Sequence, residues 1–360
     1  MSRGARALHA LMAVGMTLGG AVGALAAQPL PGLGTDGHAV TVSGISSGGY
    51  MAVQFQVAFS GLVKGAGVLA AGPYDCAENS VAKALTRCMA PNRLAPPPTV
   101  SESVARVEAH ARAGQIDAPA GLADDRVWVL SGGADHTVER PVVDALVAFY
   151  RHWLPAASVA YVRLDDAAQG LNAGHGMISV SDAHPNACAT SEPPYINRCG
   201  NFDAPGELLR FLLGPLQARG AATAGRLAAF DQRPFVDGLA VDAGLADEGL
   251  VYVPETCRAG GCRVHVAFHG CRQSLDQIGR RFAEGSGYNE WASTNRLVVL
   301  FPQTVTRNGW AWGSWRWLVN PKGCWDWWGY AGADYATRSG PQMAAVRRMI
   351  ARLAEAPAGR

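Results

Sequence analysis

The chain has 360 residues, of which 49% are hydrophobic, and it carries 31 Lys and Arg against 29 Asp and Glu, a formal net charge of +2. This composition is that of a globular protein and shows no signature of disorder. No Lys/Arg block is present to neutralise phosphates, so nucleic acid is not expected as a partner.

The chain opens with a targeting pattern. Arg3 and Arg6 form a positive start, and Leu8 to Ala24 is apolar but rich in small residues. Ala24-Leu25-Ala26-Ala27 then offers a small-x-small cleavage site before Gln28. This is the pattern of a secretory signal peptide over residues 1–27. The alternative, an uncleaved anchor, fits the short apolar stretch less well. No later stretch approaches the roughly 20 apolar residues of a membrane helix, so no membrane association is expected after cleavage. The expected location is extracellular, with the periplasm as the alternative destination.

Ala39 to Ser43 is a β-branched run and predicts a strand. It is followed by a turn at Gly44 to Gly49 and a helix over Tyr50 to Phe59. The apolar run Leu62 to Leu69 predicts a second strand, and Val100 to Ala113 a helix. Arg126 to Leu130 reads as a buried strand, leading into the loop Ser131-Gly132-Gly133-Ala134-Asp135. Val142 to Trp153 is an amphipathic helix. Ala160 to Leu164 is another strand, followed by a glycine-rich loop holding His175, and a helix is expected over Pro205 to Leu213. Residues 215–245 are rich in Ala and Gly without periodicity and read as a connector. Strands over Gly249 to Val253, Val264 to Phe268 and Leu297 to Phe301 follow, then a tryptophan-rich region and a final helix over Gln342 to Leu353. Alternating strands and helices imply an α/β fold, a mostly parallel sheet with helices on both faces. Functional groups of such sheets sit on loops beyond the carboxyl ends of the strands.

Eight cysteines follow the signal segment. An even count in an exported chain reads as disulfides, although sequence alone leaves 105 pairings open. Proximity suggests Cys76 with Cys88, Cys188 with Cys199 and Cys257 with Cys262, which leaves Cys271 with Cys324. A zinc site is the competing reading. However, there is no C-x-x-C pair, and Cys262 with His265 has no second pair to complete four ligands.

Gly44-Ile45-Ser46-Ser47-Gly48 fits G-x-S-x-G between a predicted strand and a predicted helix, the context of a nucleophile elbow. Small neighbours are needed because the turn strains the serine backbone. Ser46 is therefore the candidate nucleophile, and the Ser47 amide at the helix start is a candidate oxyanion donor. In α/β-hydrolases the acid and then the base follow in chain order. Asp135, in a loop after a strand, is the candidate acid, with Asp75 as its rival. His175, flanked by Gly174 and Gly176, is the candidate base. His184 is its rival, while His152 lies in a helix and His136 sits beside the acid. The second oxyanion donor ordinarily lies upstream of the nucleophile, and nothing upstream qualifies. The candidate is Cys271 in His269-Gly270-Cys271, after the strand Val264 to Phe268. That order is expected of a circularly permuted α/β-hydrolase whose two parts form one sheet and a single catalytic domain over residues 28–360. Seven of the ten tryptophans lie between Trp310 and Trp328. Such a density predicts that part of the set forms an exposed or cleft-lining surface. A Cys324 bridge would carry it to the catalytic mouth.

Several long segments carry a family resemblance. They are Ser43-Gly44-Ile45-Ser46-Ser47-Gly48-Gly49-Tyr50-Met51-Ala52, Gly72-Pro73-Tyr74-Asp75-Cys76, Pro194-Tyr195-Ile196-Asn197, His269-Gly270-Cys271 with Gln273-Ser274, and Asn320-Pro321 with Gly323-Cys324-Trp325-Asp326-Trp327. From about Val42 to the final helix, the chain resembles the secreted short-chain polyhydroxyalkanoate depolymerases, especially their circularly permuted single-domain type. The resemblance implies Ser46, Asp135 and His175 as the triad and the amides of Ser47 and Cys271 as the oxyanion hole. It also implies Trp327 in the substrate crevice, with Trp325 and Tyr50 expected beside it. No metal or organic cofactor is implied. The implied partner is a polyester or oligoester substrate, and a monomer is expected. The multi-domain members of the family carry a separate polymer-binding domain, and none is expected here. Two other readings are an esterase acting on feruloyl or acetyl esters of plant polysaccharide and a non-catalytic polymer-binding protein.

Overall fold

The structure, a computed structural model, describes residues 27–38, 40–312 and 315–357. Apart from Ala27, the expected signal segment lies outside the described residues, as does Ala39 at the head of the expected first strand. In the first part, β1 (Val40–Ile45) enters α1 (Ser47–Ala58), followed by β2 (Val63–Leu69), α2 (Val81–Leu85), α3 (Val100–Arg112), β3 (Arg126–Gly132), α4 (Arg140–Trp153), β4 (Val159–Asp166) and β5 (Leu171–Asn172). Three short strands, β6 (Met177–Ile178), β7 (Asn186–Ala187) and β8 (Ile196–Arg198), form a separate small sheet, and α5 (Ala204–Leu213) closes this half. The second part contains β9 (Gly225–Asp231), β10 (Glu248–Pro254), β11 (Arg263–Phe268), α6 (Leu275–Ile278), α7 (Arg281–Gly285), α8 (Tyr288–Thr294) and β12 (Leu297–Phe301). The hairpin β13 (Arg307–Trp310) and β14 (Trp317–Asn320) and then α9 (Pro341–Ala354) complete it.

One nine-stranded sheet takes strands from both parts, in the order β5-β4-β3-β2-β1-β11-β12-β10-β9. The strands from β4 to β12 in this order pair in parallel, while β5, β10 and β9 pair antiparallel. The first strand is therefore central. β2 pairs with it on one side, and β11, more than 200 residues later, on the other. This is the permuted α/β-hydrolase arrangement, and it creates a crevice beyond the carboxyl ends of β1 and β11.

The apolar residues of the central strands alternate between two buried layers, as period-2 geometry requires. Val127 and Val129 of β3 face the layer that contains α1, α4 and α9, whereas Trp128 and Leu130 face the layer of α5 and α8. Every residue of α1 is buried. A helix buried on every side belongs to the core, its two glutamines bonded to Asp326 and Asp125, and this one supports the turn that precedes it. The start of α3 is fixed by a capping box. Thr99 Oγ1 accepts from the Glu102 amide at 3.2 Å, and Glu102 Oε2 accepts from the Thr99 amide at 2.7 Å.

The stretch expected as a connector contains β9, which pairs with β10 along its whole length. Its residues, Gly-Arg-Leu-Ala-Ala-Phe-Asp, are mostly half-exposed at the sheet edge, so the alternation that reveals a strand is weak. The helices α6, α7 and α8 were also not legible: each is seven residues or shorter, too short for a helical period to emerge. All eight cysteines pair, and the bonds are Cys76–Cys88, Cys188–Cys199, Cys257–Cys262 and Cys271–Cys324. Cys262 is therefore committed to sulfur. No helix among the described residues is long and apolar enough to cross a membrane.

Candidate active site

Ser46 joins β1 to α1 with φ 55° and ψ −124°. Such a conformation costs on the order of 1–3 kcal/mol and persists only where the surroundings enforce it. Here the Ser46 amide donates to the Leu69 carbonyl at 2.9 Å, and the Ser46 carbonyl accepts from the Tyr50 amide at 3.0 Å. The motif glycines are required by contact. A Cβ on Gly44 would lie 2.2 Å from the Gly48 carbonyl oxygen, and one on Gly48 would lie 2.3 Å from that of Phe268. The start of α1 thus rests directly against the end of β11. A buried polar chain supports the elbow from below. His265 bonds Thr41 through Nδ1 at 2.8 Å and Ser43 through Nε2 at 2.7 Å, and Ser43 in turn bonds Tyr288 at 2.6 Å. Burial pushes His265 down to about 3, so the ring is neutral.

Asp135 and His175 come from loops after β3 and β5. His175 Nδ1 lies 2.8 Å from Asp135 Oδ2. The other carboxylate oxygen accepts from the amides of Thr137 and Val138 at 2.8 and 3.0 Å, which fixes the carboxylate plane. The loops are tied together by the Ala134 amide, which donates to the Ala173 carbonyl at 2.9 Å. Glycines permit this approach: a Cβ on Gly132 would lie 2.2 Å from the Ala173 oxygen, and one on Gly174 2.4 Å from that of Ala189. The rivals lie elsewhere. The Asp75 carboxylate accepts from the Tyr335 hydroxyl and lies 3.6 Å from His110 Nε2. His184 accompanies Asp182 and Arg281. His152 packs on Trp153 within α4, and His136 is exposed.

The third component is the turn after β11. Ser47 opens α1, so its amide has no intrahelical acceptor. The Gly270 amide donates to Gln273 Oε1 at 2.8 Å and is therefore occupied. The Gly270 carbonyl accepts from His269 Nδ1 at 2.8 Å and from the Gln273 amide at 3.3 Å. That carbonyl and the Cys271 amide share one planar trans peptide, so holding the oxygen on one side aims the Cys271 N–H to the other. Burial pushes His269 down to about 4, which keeps its ring neutral with the proton on Nδ1, while Nε2 faces the Thr304 amide at 3.3 Å.

These groups surround a cleft of about 170 Å³ lined by Ser46, His175, Cys271, Tyr50, Tyr195 and Trp327, among others. Tyr50 and Trp327 stack with ring centroids 4.2 Å apart. Trp327 is presented by a tight turn in which both Asp326 carboxylate oxygens accept backbone amides from Trp328 to Ala331. Trp325 does not reach the cleft. It is fully buried against Phe268 and His269, because the Cys271–Cys324 bond pulls it inward beneath the turn. The expected aromatic mouth likewise contracts to one residue of the seven. Trp310, Trp312, Trp315 and Trp317 instead stand exposed on the β13–β14 hairpin, between 54% and 94% accessible. Tyr195, Gln273, Arg272 and Lys322 also line the cleft without having been assigned a role. For Tyr195 and Gln273 the signal was their place in the family segments. Lys322 and Arg272 had none.

A serine elbow, an Asp–His pair and a backbone amide turn at the carboxyl ends of a mostly parallel sheet define an α/β-hydrolase. No protein-family model matches the chain. Two curated relatives do. The poly(3-hydroxybutyrate) depolymerase of Delftia acidovorans is 41% identical over 350 residues, which is 96% of this chain and 65% of that protein. The polyhydroxybutyrate depolymerase of Talaromyces funiculosus is 36% identical over 330 residues, 89% of this chain and 91% of that one. Two solved structures share the fold with TM-scores of 0.79 at 34% identity, covering 91% of this chain and 99% of theirs. One is the PHB depolymerase from Penicillium funiculosum, and the other is a PHB depolymerase with a serine-to-alanine substitution, complexed with an R3HB trimer. The chain belongs to the polyhydroxybutyrate depolymerase family.

Proposed function

We propose that this protein is a secreted serine esterase, one catalytic domain over residues 28–360, that hydrolyses the ester bonds of poly(3-hydroxybutyrate) or its oligomers. The observation that carries the reading is the Asp135–His175 pair, at 2.8 Å, beside the strained Ser46 in one cleft. The family membership supports the substrate class. Four disulfides support export, because such bonds persist in oxidising compartments.

In this mechanism Ser46 Oγ attacks the ester carbonyl while His175 Nε2 takes its proton. Asp135 holds the Nδ1–H tautomer and stabilises the imidazolium that forms. The carbonyl oxygen becomes an oxyanion and accepts from the amides of Ser47 and Cys271, which need no reorganisation as the charge develops. His175 then gives its proton to the departing hydroxyl of the polymer, leaving an acyl-enzyme. Water, deprotonated by His175, attacks the acyl carbonyl and releases the acid and Ser46. The chemistry requires no metal or organic cofactor. Trp327 and Tyr50 supply an apolar wall for the methyl-bearing chain. The exposed hairpin indoles, with Trp315 and Trp317 in contact with Trp310, supply contact with solid polymer, since a contiguous exposed apolar patch marks an interaction surface.

The test is release of soluble 3-hydroxybutyrate from amorphous poly(3-hydroxybutyrate) by the purified protein beside its Ser46→Ala variant, with methyl ferulate assayed in parallel. Release by the wild type alone supports the reading. Hydrolysis of the ferulate without 3-hydroxybutyrate release overturns the substrate. Equal release by Ser46→Ala overturns the nucleophile.

A further inference from the structure

Gln273 is 1% exposed and spends its whole side-chain amide on two loops of the cleft. Its Oε1 accepts from the Gly270 amide at 2.8 Å. Its Nε2 donates to the carbonyls of Pro194 and Tyr195, both at 3.0 Å. The first bond occupies the Gly270 N–H and fixes the His269–Gly270 peptide, while His269 Nδ1 and the Gln273 main-chain amide hold the carbonyl of the next peptide, Gly270–Cys271. The second reaches across to the segment carrying Tyr195, whose backbone sits at φ 55° and whose ring stands edge-on to His175 with centroids 6.3 Å apart. The turn is closely packed around this side chain. Gly270 lies so close that a Cβ there would meet Gln273 Oε1 at 2.9 Å. A primary amide is the side chain that can accept on one atom and donate twice from the other while remaining uncharged.

We propose that Gln273 is a positioning residue for ester hydrolysis, setting the Cys271 amide and the His175 wall at a fixed separation across the cleft. This rests on the catalytic reading of Ser46 given above. Its side-chain amide is spent on three backbone groups and not on the reacting atoms, so its effect is expected in the transition state. Losing a single oxyanion donor costs about 10²–10³ in kcat, and a displaced donor costs less. Gln273→Met, similar in volume without the hydrogen bonds, is expected to lower kcat on a soluble ester by about 10- to 100-fold with KM changed less than about threefold.

Gln273→Glu separates positioning from folding. The ionised carboxylate can still accept from Gly270 but opposes the carbonyls of Pro194 and Tyr195. Protonated, it has one O–H and donates to one of them. The deficit of this variant relative to wild type is therefore expected to shrink as pH falls, at both steady state and in the rate at which a serine-directed phosphonate modifies Ser46. A constant deficit across pH, or a wild-type phosphonylation rate in Gln273→Met, overturns the proposal. If Ser46→Ala retains activity, the catalytic reading itself has failed. If Ser46→Ala is inactive while both Gln273 variants are unimpaired, only the positioning role has failed.

Discussion

The ring of Tyr50 lies 4.2 Å from that of Trp327, with 9° between their planes. One ring comes from the helix after the elbow and the other from a turn near the end of the chain, so the stack joins the two permuted parts at the cleft wall. Tyr50 is held from behind, its hydroxyl donating to the Cys88 carbonyl. Trp327 is held by the Asp326 turn. Both faces of the wall are thus set before any ligand arrives, which limits the entropy lost on binding.

Trp327→Ala removes the outer half of that wall. KM for a soluble oligoester is expected to rise about tenfold, equivalent to about 1.4 kcal/mol, with kcat reduced much less. The indole nitrogen of Trp327 is buried with no hydrogen-bond acceptor among the described residues. Trp327→Phe keeps the stack and removes that donor, so comparing KM for the two variants separates ring area from hydrogen bonding.

Asp135→Asn preserves the shape of the acid but cannot hold the imidazole proton on Nδ1. A loss of about three to four orders of magnitude in kcat is expected. The amides of Thr137 and Val138 can still donate to the Asn oxygen, so the melting temperature should change little. A loss of activity smaller than tenfold would remove Asp135 from the triad.

Acid stability should depend on the buried histidines. The folded-state value of His265 lies at about 3 and that of His269 at about 4, against an ordinary 6.5. As pH falls below 6.5 the unfolded chain takes up protons that the fold refuses. Stability is therefore complete above 6.5 and declines towards each folded value, by about 1.4 kcal/mol per pH unit for each ring. Asp326 acts in the opposite sense. Burial raises it to about 6, so between 6 and its ordinary 3.8 the fold takes the proton first and gains. Urea unfolding of His265→Gln between pH 7 and pH 4 isolates one contribution: the acid-side slope should fall by about 1.4 kcal/mol per unit relative to wild type.

The hairpin indoles should govern adsorption and leave the chemistry alone. Covering half of one indole, on the order of 100 Å², contributes about 2.5 kcal/mol. Trp312→Ser with Trp315→Ser, the two most exposed of the set, is expected to weaken binding to a polyester film at least about tenfold while soluble-ester kinetics stay unchanged. A binding assay in the Ser46→Ala background keeps the film intact during measurement. Unaltered adsorption would show that another surface meets the polymer.

Local chemistry made the strained turn at Ser46, the aspartate after β3 and the loop histidine that meets it readable from the chain. Each depends on short-range rules: small residues around a strained serine, an aspartate after a buried strand, glycines beside a histidine. The order of the segments also exposed the permutation, because the only His-Gly-Cys turn follows a strand far downstream of Ser46. What the tertiary structure decided were relations between distant segments. The sequence reading placed Trp325, two residues away, beside Trp327 at the substrate crevice. The Cys271–Cys324 bond and the Asp326 turn bury the first and present the second. Gln273 showed no pattern of its own, since its three partners lie at Gly270, Pro194 and Tyr195. The edge strand β9 was lost because half-exposed positions need not alternate. Sequence periodicity reports which side of an element is buried. Which groups meet across a cleft depends on the packing of elements that are remote along the chain, and no local pattern encodes it.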